Sequence, residues 1–155
     1  SPLIGLAIVD GLKWLPTLFG TVFMPESVKN EVLPDVGATG EEAIVRSIEA
    51  GWLKIWPEPI PAILDIDLDI SETDCINLGL SYADESLLIM DERTGRAVAN
   101  EKGLRVVGTA AIIGMAKKQG LILSARKAFE VLHGSDFRIS ATVINHVLLS
   151  VNEQP

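Results

Sequence analysis

The stretch Ser86-Leu87-Leu88-Ile89-Met90-Asp91 decides the fold class of this 155-residue chain. An uninterrupted apolar run of this length is typical of a strand that is buried on both faces, as the strands of a parallel sheet are. Residues 92–99 then show helical spacing, so the strand leads through a turn into a helix. Because the side chains that do chemistry collect at the carboxyl ends of such strands, Asp91 is a candidate site residue.

Further strands and helices alternate along the rest of the chain. Short strands are predicted at residues 21–24, 52–56 and 105–108, and helical patterns precede and follow each of them. The amino terminus has the pattern of a helix start, with Ser1 as N-cap and Pro2 at the first helical position. This alternation predicts an α/β sandwich around a mainly parallel sheet, formed as a single domain by residues 1–155.

The composition excludes several classes of protein. A hydrophobic fraction of 48% argues against disorder. No apolar stretch reaches the roughly 18 to 20 residues of a membrane span, and no basic leader segment is present. With Cys75 as the only cysteine, an intrachain disulfide and zinc-type cysteine clusters are excluded. These features predict a cytoplasmic protein without membrane contact.

Charge is unevenly distributed along the chain, whose net charge is −8. Residues 1–92 hold 4 of the 13 Lys and Arg and 17 of the 21 Asp and Glu, whereas residues 93–155 hold the other 9 basic and 4 acidic residues. This asymmetry is compatible with an acidic metal centre beside a phosphate-binding face, and equally with ordinary surface variation. No dinucleotide-binding fingerprint, P-loop or nucleophile elbow is present.

Four carboxylates, Glu31, Glu72, Asp74 and Asp91, occupy positions near predicted strand ends and helix starts. Carboxylates gathered at one sheet edge repel one another unless a cation neutralises them, and Mg²⁺ or Mn²⁺ takes oxygen ligands. Each position also has a structural explanation. Glu72 fits a capping box in Ser71-Glu72-Thr73-Asp74, Glu31 fits an exposed helix face, and Asp91 fits the first position of a turn.

A series of short motifs runs along nearly the whole chain: Ser1-Pro2-Leu3-Ile4, Val22-Phe23-Met24-Pro25-Glu26-Ser27-Val28 with Glu31-Val32, Ser71-Glu72-Thr73-Asp74-Cys75-Ile76, Leu88-Ile89-Met90-Asp91-Glu92-Arg93 with Gly95-Arg96-Ala97-Val98-Ala99, Gly103-Leu104-Arg105-Val106-Val107-Gly108-Thr109, and Phe137-Arg138-Ile139-Ser140. In this order and spacing they resemble PIN-domain proteins, in the branch of predicted nucleic-acid-binding proteins related to VapC-type toxins. Ser71 stands where that branch usually has glycine.

The resemblance implies a three-layer α/β/α sandwich with a parallel sheet of about five strands in the order 3-2-1-4-5. It places Ser1 just after the first strand, so that this strand and its terminal aspartate are expected to be missing from the sequence. A competing register takes residues 3–9 as the first strand and Asp10 as its aspartate. The Ser1-Pro2 helix start favours the first register, but periodicity does not exclude the second.

The resemblance also implies a function, that of a ribonuclease dependent on Mg²⁺ or Mn²⁺ that cuts single-stranded RNA. Glu31, Glu72 and Asp91 match three of the four acids that form the metal-binding and catalytic centre. The alternative is a PIN fold without catalysis, which binds nucleic acid or protein through its surface.

Nucleic-acid contacts are expected from Arg93 and Arg96, just beyond Asp91, and from Ser1, whose position N-capping explains equally well. Expected partners are the RNA substrate and, by the resemblance alone, an antitoxin protein. A homodimer is expected through the apolar helices at residues 110–119 and 140–151, although burial within the monomer is the simpler account of these helices.

Overall fold

The computed structural model describes residues 1–65 and 67–155, in which nine helices alternate with four short strands. Every strand lies inside a segment that the sequence predicts to be one, but each has only two or three residues. The elements in chain order are α1 (Pro2–Ile8), α2 (Trp14–Phe19), β1 (Val22–Met24), α3 (Glu26–Val32), α4 (Glu41–Glu49), β2 (Leu53–Ile55), α5 (Ile70–Ser81), β3 (Leu88–Ile89), α6 (Arg93–Glu101), β4 (Val106–Val107), α7 (Thr109–Lys118), α8 (Ala125–His133) and α9 (Ala141–Ser150).

The strands form two parallel pairs. β1 pairs with β2, with Val22 opposite Leu53, and β3 pairs with β4, with Leu88 opposite Val106. Within the described residues β1 and β3 are not paired, so the structure shows two parallel pairs and not a whole five-stranded sheet. The expected order 3-2-1-4-5 counts the missing first strand as strand 1, so β1 and β2 are its strands 2 and 3, and β3 and β4 are its strands 4 and 5. The two observed pairs are thus the outer pairs of that order.

Side chains along β3 and β4 alternate between two hydrophobic clusters. Leu88 and Val106 pack with Ile76 of α5 in the smaller cluster. Ile89 and Val107 pack against the larger cluster, to which α1 and α7 contribute. Because successive residues of a strand point to opposite faces, helices cover both faces of this pair. The α/β class is therefore confirmed.

β1 alternates between the same two layers of helices. Val22 and Met24 pack in or against the larger cluster. Phe23 lies on the opposite face, where its ring centroid is 5.2 Å from that of Trp56. The Trp56 ring lies in turn 5.5 Å from Tyr82, at the end of α5. β1 and β3 therefore occupy the same layer of the molecule, with α5 on one side and the larger cluster on the other.

The larger cluster joins the amino-terminal helices to the carboxyl-terminal ones. Leu6 of α1, Leu15 of α2, Ile44 of α4, Ile113 of α7 and Leu132 of α8 are all completely buried in it. Full burial of such a side chain contributes roughly 1.5–3 kcal/mol. No helix among the described residues combines the length and apolarity that crossing a membrane requires.

The start of the chain is helical, so the competing register is wrong. Ser1 caps α1 through its Oγ, which accepts a hydrogen bond from the Leu3 N–H at 3.3 Å. Asp10 lies in the turn after this helix at φ 55°, is exposed, and pairs with Lys13 at 3.0 Å. It is therefore not the aspartate of a strand end.

The expected capping box at Ser71 is also wrong. α5 begins at Ile70, and its N-cap is Asp69, whose Oδ1 accepts a hydrogen bond from the Glu72 N–H at 2.9 Å. Asp69 adopts the extended backbone typical of an N-cap, and this leaves the Ser71 hydroxyl free for a tertiary contact. Glu72 remains in the first turn of the helix, as predicted.

Candidate active site

A cleft of about 560 Å³ lies between β1 and β3. The carboxylates that line it come from the end of α3, the start of α5, the loop before β3 and the turn after β3: Glu31, Asp69, Glu72, Glu85, Asp91 and Glu92. The three acids expected from the sequence, Glu31, Glu72 and Asp91, are thus brought to one cleft from residues far apart in the chain. Such proximity raises the free energy of keeping every carboxylate ionised.

Ser71 connects Glu31 to the start of α5. Its Oγ lies 2.7 Å from Glu31 Oε2 and 3.0 Å from Asp69 Oδ1. A hydroxyl has a single proton to donate, so Ser71 donates to one of these two carboxylates at a time. Because Ser71 is buried, this contact fixes the last turn of α3 against the first turn of α5 and holds Glu31 near Glu72.

Glu72 is the most perturbed carboxyl group of the cleft. Burial raises its pKa from the usual 4.5 to about 7, and so do its hydrogen bond to Asp69 and the negative charges of Asp69, Glu92 and Glu31. Its Oε2 atom is buried, and no described residue donates a hydrogen bond to it. A buried carboxylate oxygen without a donor is stabilised by a proton or by a cation.

A close approach of α6 keeps Glu72 in place. A Cβ atom added at Gly95 would lie 2.6 Å from Glu72 Oε2 and 2.6 Å from the Met90 sulfur. No real Cβ is found that close to such atoms, so any side chain at position 95 would displace the carboxylate or the methionine. The glycine therefore allows Glu72 to lie between β3 and α6.

Asp91 is held by the start of α7. Its Oδ1 accepts a hydrogen bond from the Thr109 N–H at 2.7 Å, and its Oδ2 accepts one from Thr109 Oγ1 at 2.6 Å. Thr109 is completely buried, and a carboxylate at a helix N-terminus is favoured by the helix dipole. Asp91 thus has a structural role, in fixing α7 to the end of β3, beside any chemical one.

The expected nucleic-acid contacts lie in different environments. A Cβ added at Gly108 would lie 2.5 Å from Arg96 Nη1 and 2.7 Å from Asp91 Oδ1, so the Arg96 guanidinium lies close to the Asp91 carboxylate. Arg93 is exposed at the first position of α6. Ser1 lines the cleft and caps α1 at the same time.

The three acids do not form a ready metal site. Among the described residues, no three Asp, Glu, His or Cys side chains are grouped closely enough to hold a metal ion. Oxygen ligands suit Mg²⁺ and Mn²⁺, and the unpartnered Oε2 of Glu72 fits such an ion, but Asp91 is turned toward Thr109. The donor chemistry therefore fits the expected cofactor, whereas the present arrangement of the three side chains does not yet enclose it.

Two acidic residues differ from the sequence-based expectation. Asp74 accepts a hydrogen bond from Ser27 Oγ at 2.6 Å and does not line the cleft. Asp69, to which the sequence analysis gave no role, caps α5 and lies next to Glu72. Its position one residue before the helix was the signal that would have identified it.

Comparison with known proteins identifies the family. The family model DUF3368, described as a PIN domain, matches residues 1–153. The chain belongs to the PIN-domain family. This PIN domain accordingly has a nuclease-type fold, in a family whose nucleases bind nucleic acids and typically use divalent metals. A search of curated proteins and a search of solved structures each gave no match.

Proposed function

We propose that this PIN domain is a metal-dependent endonuclease that cuts single-stranded RNA. The observation that carries the proposal is Glu72, whose buried Oε2 has no hydrogen-bond donor among the described residues and whose pKa is raised to about 7 by burial and by neighbouring acids. Perturbed carboxyl groups of this kind concentrate at functional sites. The family match to residues 1–153 supports a nuclease-type role.

The acids of the cleft would have different roles in the reaction. Glu31, Glu72 and Asp91 would hold Mg²⁺ or Mn²⁺, which when bound lowers the pKa of water and polarises a phosphate. With its pKa raised to about 7, Glu72 is the acid of the three that would accept a proton near neutral pH, as a general base must. Ser71 keeps Glu31 oriented toward this group.

Three residues next to these acids would bind the RNA backbone. The Arg96 guanidinium lies close to Asp91, and Arg93 is exposed one helical turn away. Contacts of this kind to phosphate position a nucleic acid without reading its sequence. Ser1, at the wall of the cleft, would donate its hydroxyl proton to a phosphate oxygen, because the cap of α1 uses its Oγ only as an acceptor.

The test is cleavage of a labelled single-stranded RNA with Mn²⁺ by the wild-type protein and by Glu72→Gln and Asp91→Asn variants. Both variants are expected to lose at least about 100-fold in rate, as loss of an acid–base group does. Asp74→Asn is the matched control, because Asp74 lies on the same helix, accepts a hydrogen bond from Ser27 and is not among the residues that line the cleft. Equal rates in all four proteins, with thermal unfolding showing each one folded, would refute the proposed centre.

The finer parts of the proposal come from the resemblance. They are the relation to VapC-type toxins, an antitoxin partner, a homodimer, a cytoplasmic location and the five-stranded order 3-2-1-4-5. The pairs β1–β2 and β3–β4 support the last of these, since they are the outer pairs of that order.

Cleavage of RNA duplexes at the same rate as single strands would contradict the proposed strand specificity.

A second candidate is a non-catalytic PIN fold that binds nucleic acid or protein. One observation favours it, namely that Thr109 donates a hydrogen bond to each of the two carboxylate oxygens of Asp91. Titration with Mn²⁺ separates the two candidates. The absence of any binding at millimolar Mn²⁺, with the protein folded, would support the non-catalytic module.

A further inference from the structure

Two contacts between a serine and a carboxylate join α3 to α5. Ser27 of α3 donates a hydrogen bond to Asp74 Oδ2 of α5 at 2.6 Å, and Ser71 Oγ of α5 lies 2.7 Å from Glu31 Oε2 of α3. On each helix the serine precedes the carboxylate by about one turn, so the two helices run antiparallel. Because the two contacts are separate, loss of one leaves the helices joined by the other.

The Ser71 hydroxyl is available to Glu31 because the cap of α5 does not use it. That cap is Asp69, whose Oδ1 already accepts the Glu72 N–H at 2.9 Å. Ser71 Oγ is 2.7 Å from Glu31 Oε2 but 3.0 Å from Asp69 Oδ1, and the shorter contact is the stronger hydrogen bond. Ser71 is also buried, so water competes little for its proton.

This hydrogen bond engages one of the two carboxylate oxygens of Glu31. A metal ion that bound both oxygens would compete with Ser71 for Oε2, whereas an ion that bound only Oε1 would leave the hydrogen bond intact. Ser71 thus favours coordination through a single oxygen of Glu31.

Divalent ions differ in how they use carboxylates. Ca²⁺ takes roughly six to eight oxygen ligands at about 2.3–2.6 Å and accepts a carboxylate through one or both oxygens. Mg²⁺ binds at about 2.0–2.1 Å in a near-ideal octahedron, and Mn²⁺ also favours an octahedron of oxygens. The two oxygens of one carboxylate are too close together to fill two positions of such an octahedron. A carboxylate that offers one oxygen therefore suits Mg²⁺ and Mn²⁺ better than Ca²⁺.

We propose that Ser71 sets the metal preference of the cleft, by holding Glu31 so that Mg²⁺ or Mn²⁺ is favoured over Ca²⁺. Ser71 acts through Glu31 and is therefore a positioning residue, not a ligand. The inference rests on the metal-dependent function proposed above. It adds to that function the residue that selects the ion.

The test is competition between Ca²⁺ and Mn²⁺ in the absence of RNA, with free Mn²⁺ measured by electron paramagnetic resonance. The wild type is expected to bind Mn²⁺ more tightly than Ca²⁺. Ser71→Ala is expected to reduce this preference about tenfold, because Glu31 then offers Ca²⁺ both oxygens. Ser71→Thr keeps the hydroxyl and should retain most of the preference. A general loss of stability would weaken the binding of both ions alike, so the ratio of the two affinities reports on Glu31.

A double-mutant cycle shows whether Ser71 acts through Glu31. In a Glu31→Gln background, Ser71→Ala is expected to change the metal preference less than about twofold, because the carboxylate that Ser71 positions is absent. Ser27→Ala is the matched control. It removes the same kind of contact between the same two helices, but to Asp74, which does not line the cleft, and should leave the metal preference unchanged.

Three results would overturn this inference while the metal centre stands: a wild type that prefers Ca²⁺, an unchanged preference in Ser71→Ala, and an equal effect of Ser71→Ala with and without the Glu31 carboxylate. A wild type that binds neither ion at millimolar concentration would instead refute the metal centre itself, and the inference with it. Thermal unfolding establishes that each variant is folded. Ser71→Gly removes the same hydroxyl and decides the question if Ser71→Ala does not fold, and the single variants decide it if Glu31→Gln binds neither ion.

Discussion

Replacing Glu72 by Gln is expected to remove a pH-dependent loss of stability. The pKa of Glu72 is raised from 4.5 to about 7 in the folded protein, by burial first and then by hydrogen bonding to Asp69 and the charges of neighbouring acids. A carboxyl group with a raised folded-state pKa contributes stability that is complete below about 4.5 and is lost as the pH rises through about 7. The wild-type protein should therefore lose stability across this range, and the Gln variant should not.

The expected size of the effect follows from the same pKa. A change from 4.5 to about 7 corresponds to an upper limit of about 3 kcal/mol, at roughly 1.4 kcal/mol for each pH unit. Because the Glu72 side chain is only partly buried, solvent screening reduces this to about 1 kcal/mol. At about pH 8 the Glu72→Gln variant should thus melt roughly 2–4 °C above the wild type.

Thermal unfolding followed by circular dichroism at several pH values between about 4 and 8 measures this difference. Glu130→Gln is the matched control, since Glu130 is an exposed helical glutamate outside the cleft. The control should track the wild type at every pH. A Glu72→Gln variant with the same pH profile as the wild type would refute the assignment of a raised pKa to this carboxyl group.

Three further substitutions test contacts of the site and the core. Thr109→Val removes the hydroxyl donor to Asp91 and should lower the free energy of unfolding by about 1–2 kcal/mol in urea denaturation, whereas Thr109→Ser should retain the hydrogen bond. Gly95→Ala places a methyl group 2.6 Å from Glu72 Oε2 and should cost up to about 1 kcal/mol, because the displaced ends of Glu72 and Met90 outweigh the better helix propensity of Ala; a more stable variant would contradict this close approach. Glu153→Gln should lower stability by about 1 kcal/mol near neutral pH, because partial burial raises the Glu153 pKa less than the N–H groups at the start of α8 lower it. That difference should vanish as the pH falls through the lowered pKa, and a constant difference down to about pH 2 would contradict it.

Local patterns in the sequence were sufficient for most elements of the fold. The apolar run that ends at Asp91 predicted a buried strand, and Ser1-Pro2 predicted a helix start, because both signals depend on residues that are neighbours in the chain. The strand lengths were overestimated. A strand ends where its hydrogen-bonded partner ends, and the pairing of β3 with β4 covers only Leu88 and Ile89.

The capping of α5 shows why two adjacent local signals can be confused. Both Asp69 and Ser71 are good N-cap residues, and each is followed by an acidic residue near the expected position. Propensity does not separate them. The choice depends on Glu31, 40 residues earlier in the chain, whose carboxylate accepts the Ser71 hydroxyl proton.

The sequence by itself determined the α/β class of this PIN domain and the places of its strands and helices, since alternation and helix-start signals are local. Through its resemblance to the family it also predicted three site acids, Glu31, Glu72 and Asp91. Only the tertiary structure decided the hydrogen bonding of Asp91 and the pKa of Glu72. Thr109 engages Asp91 from 18 residues away, and the burial of Glu72 against α6 raises its pKa to about 7. Burial and hydrogen bonding between distant residues are products of chain packing, so no short stretch of sequence contains them.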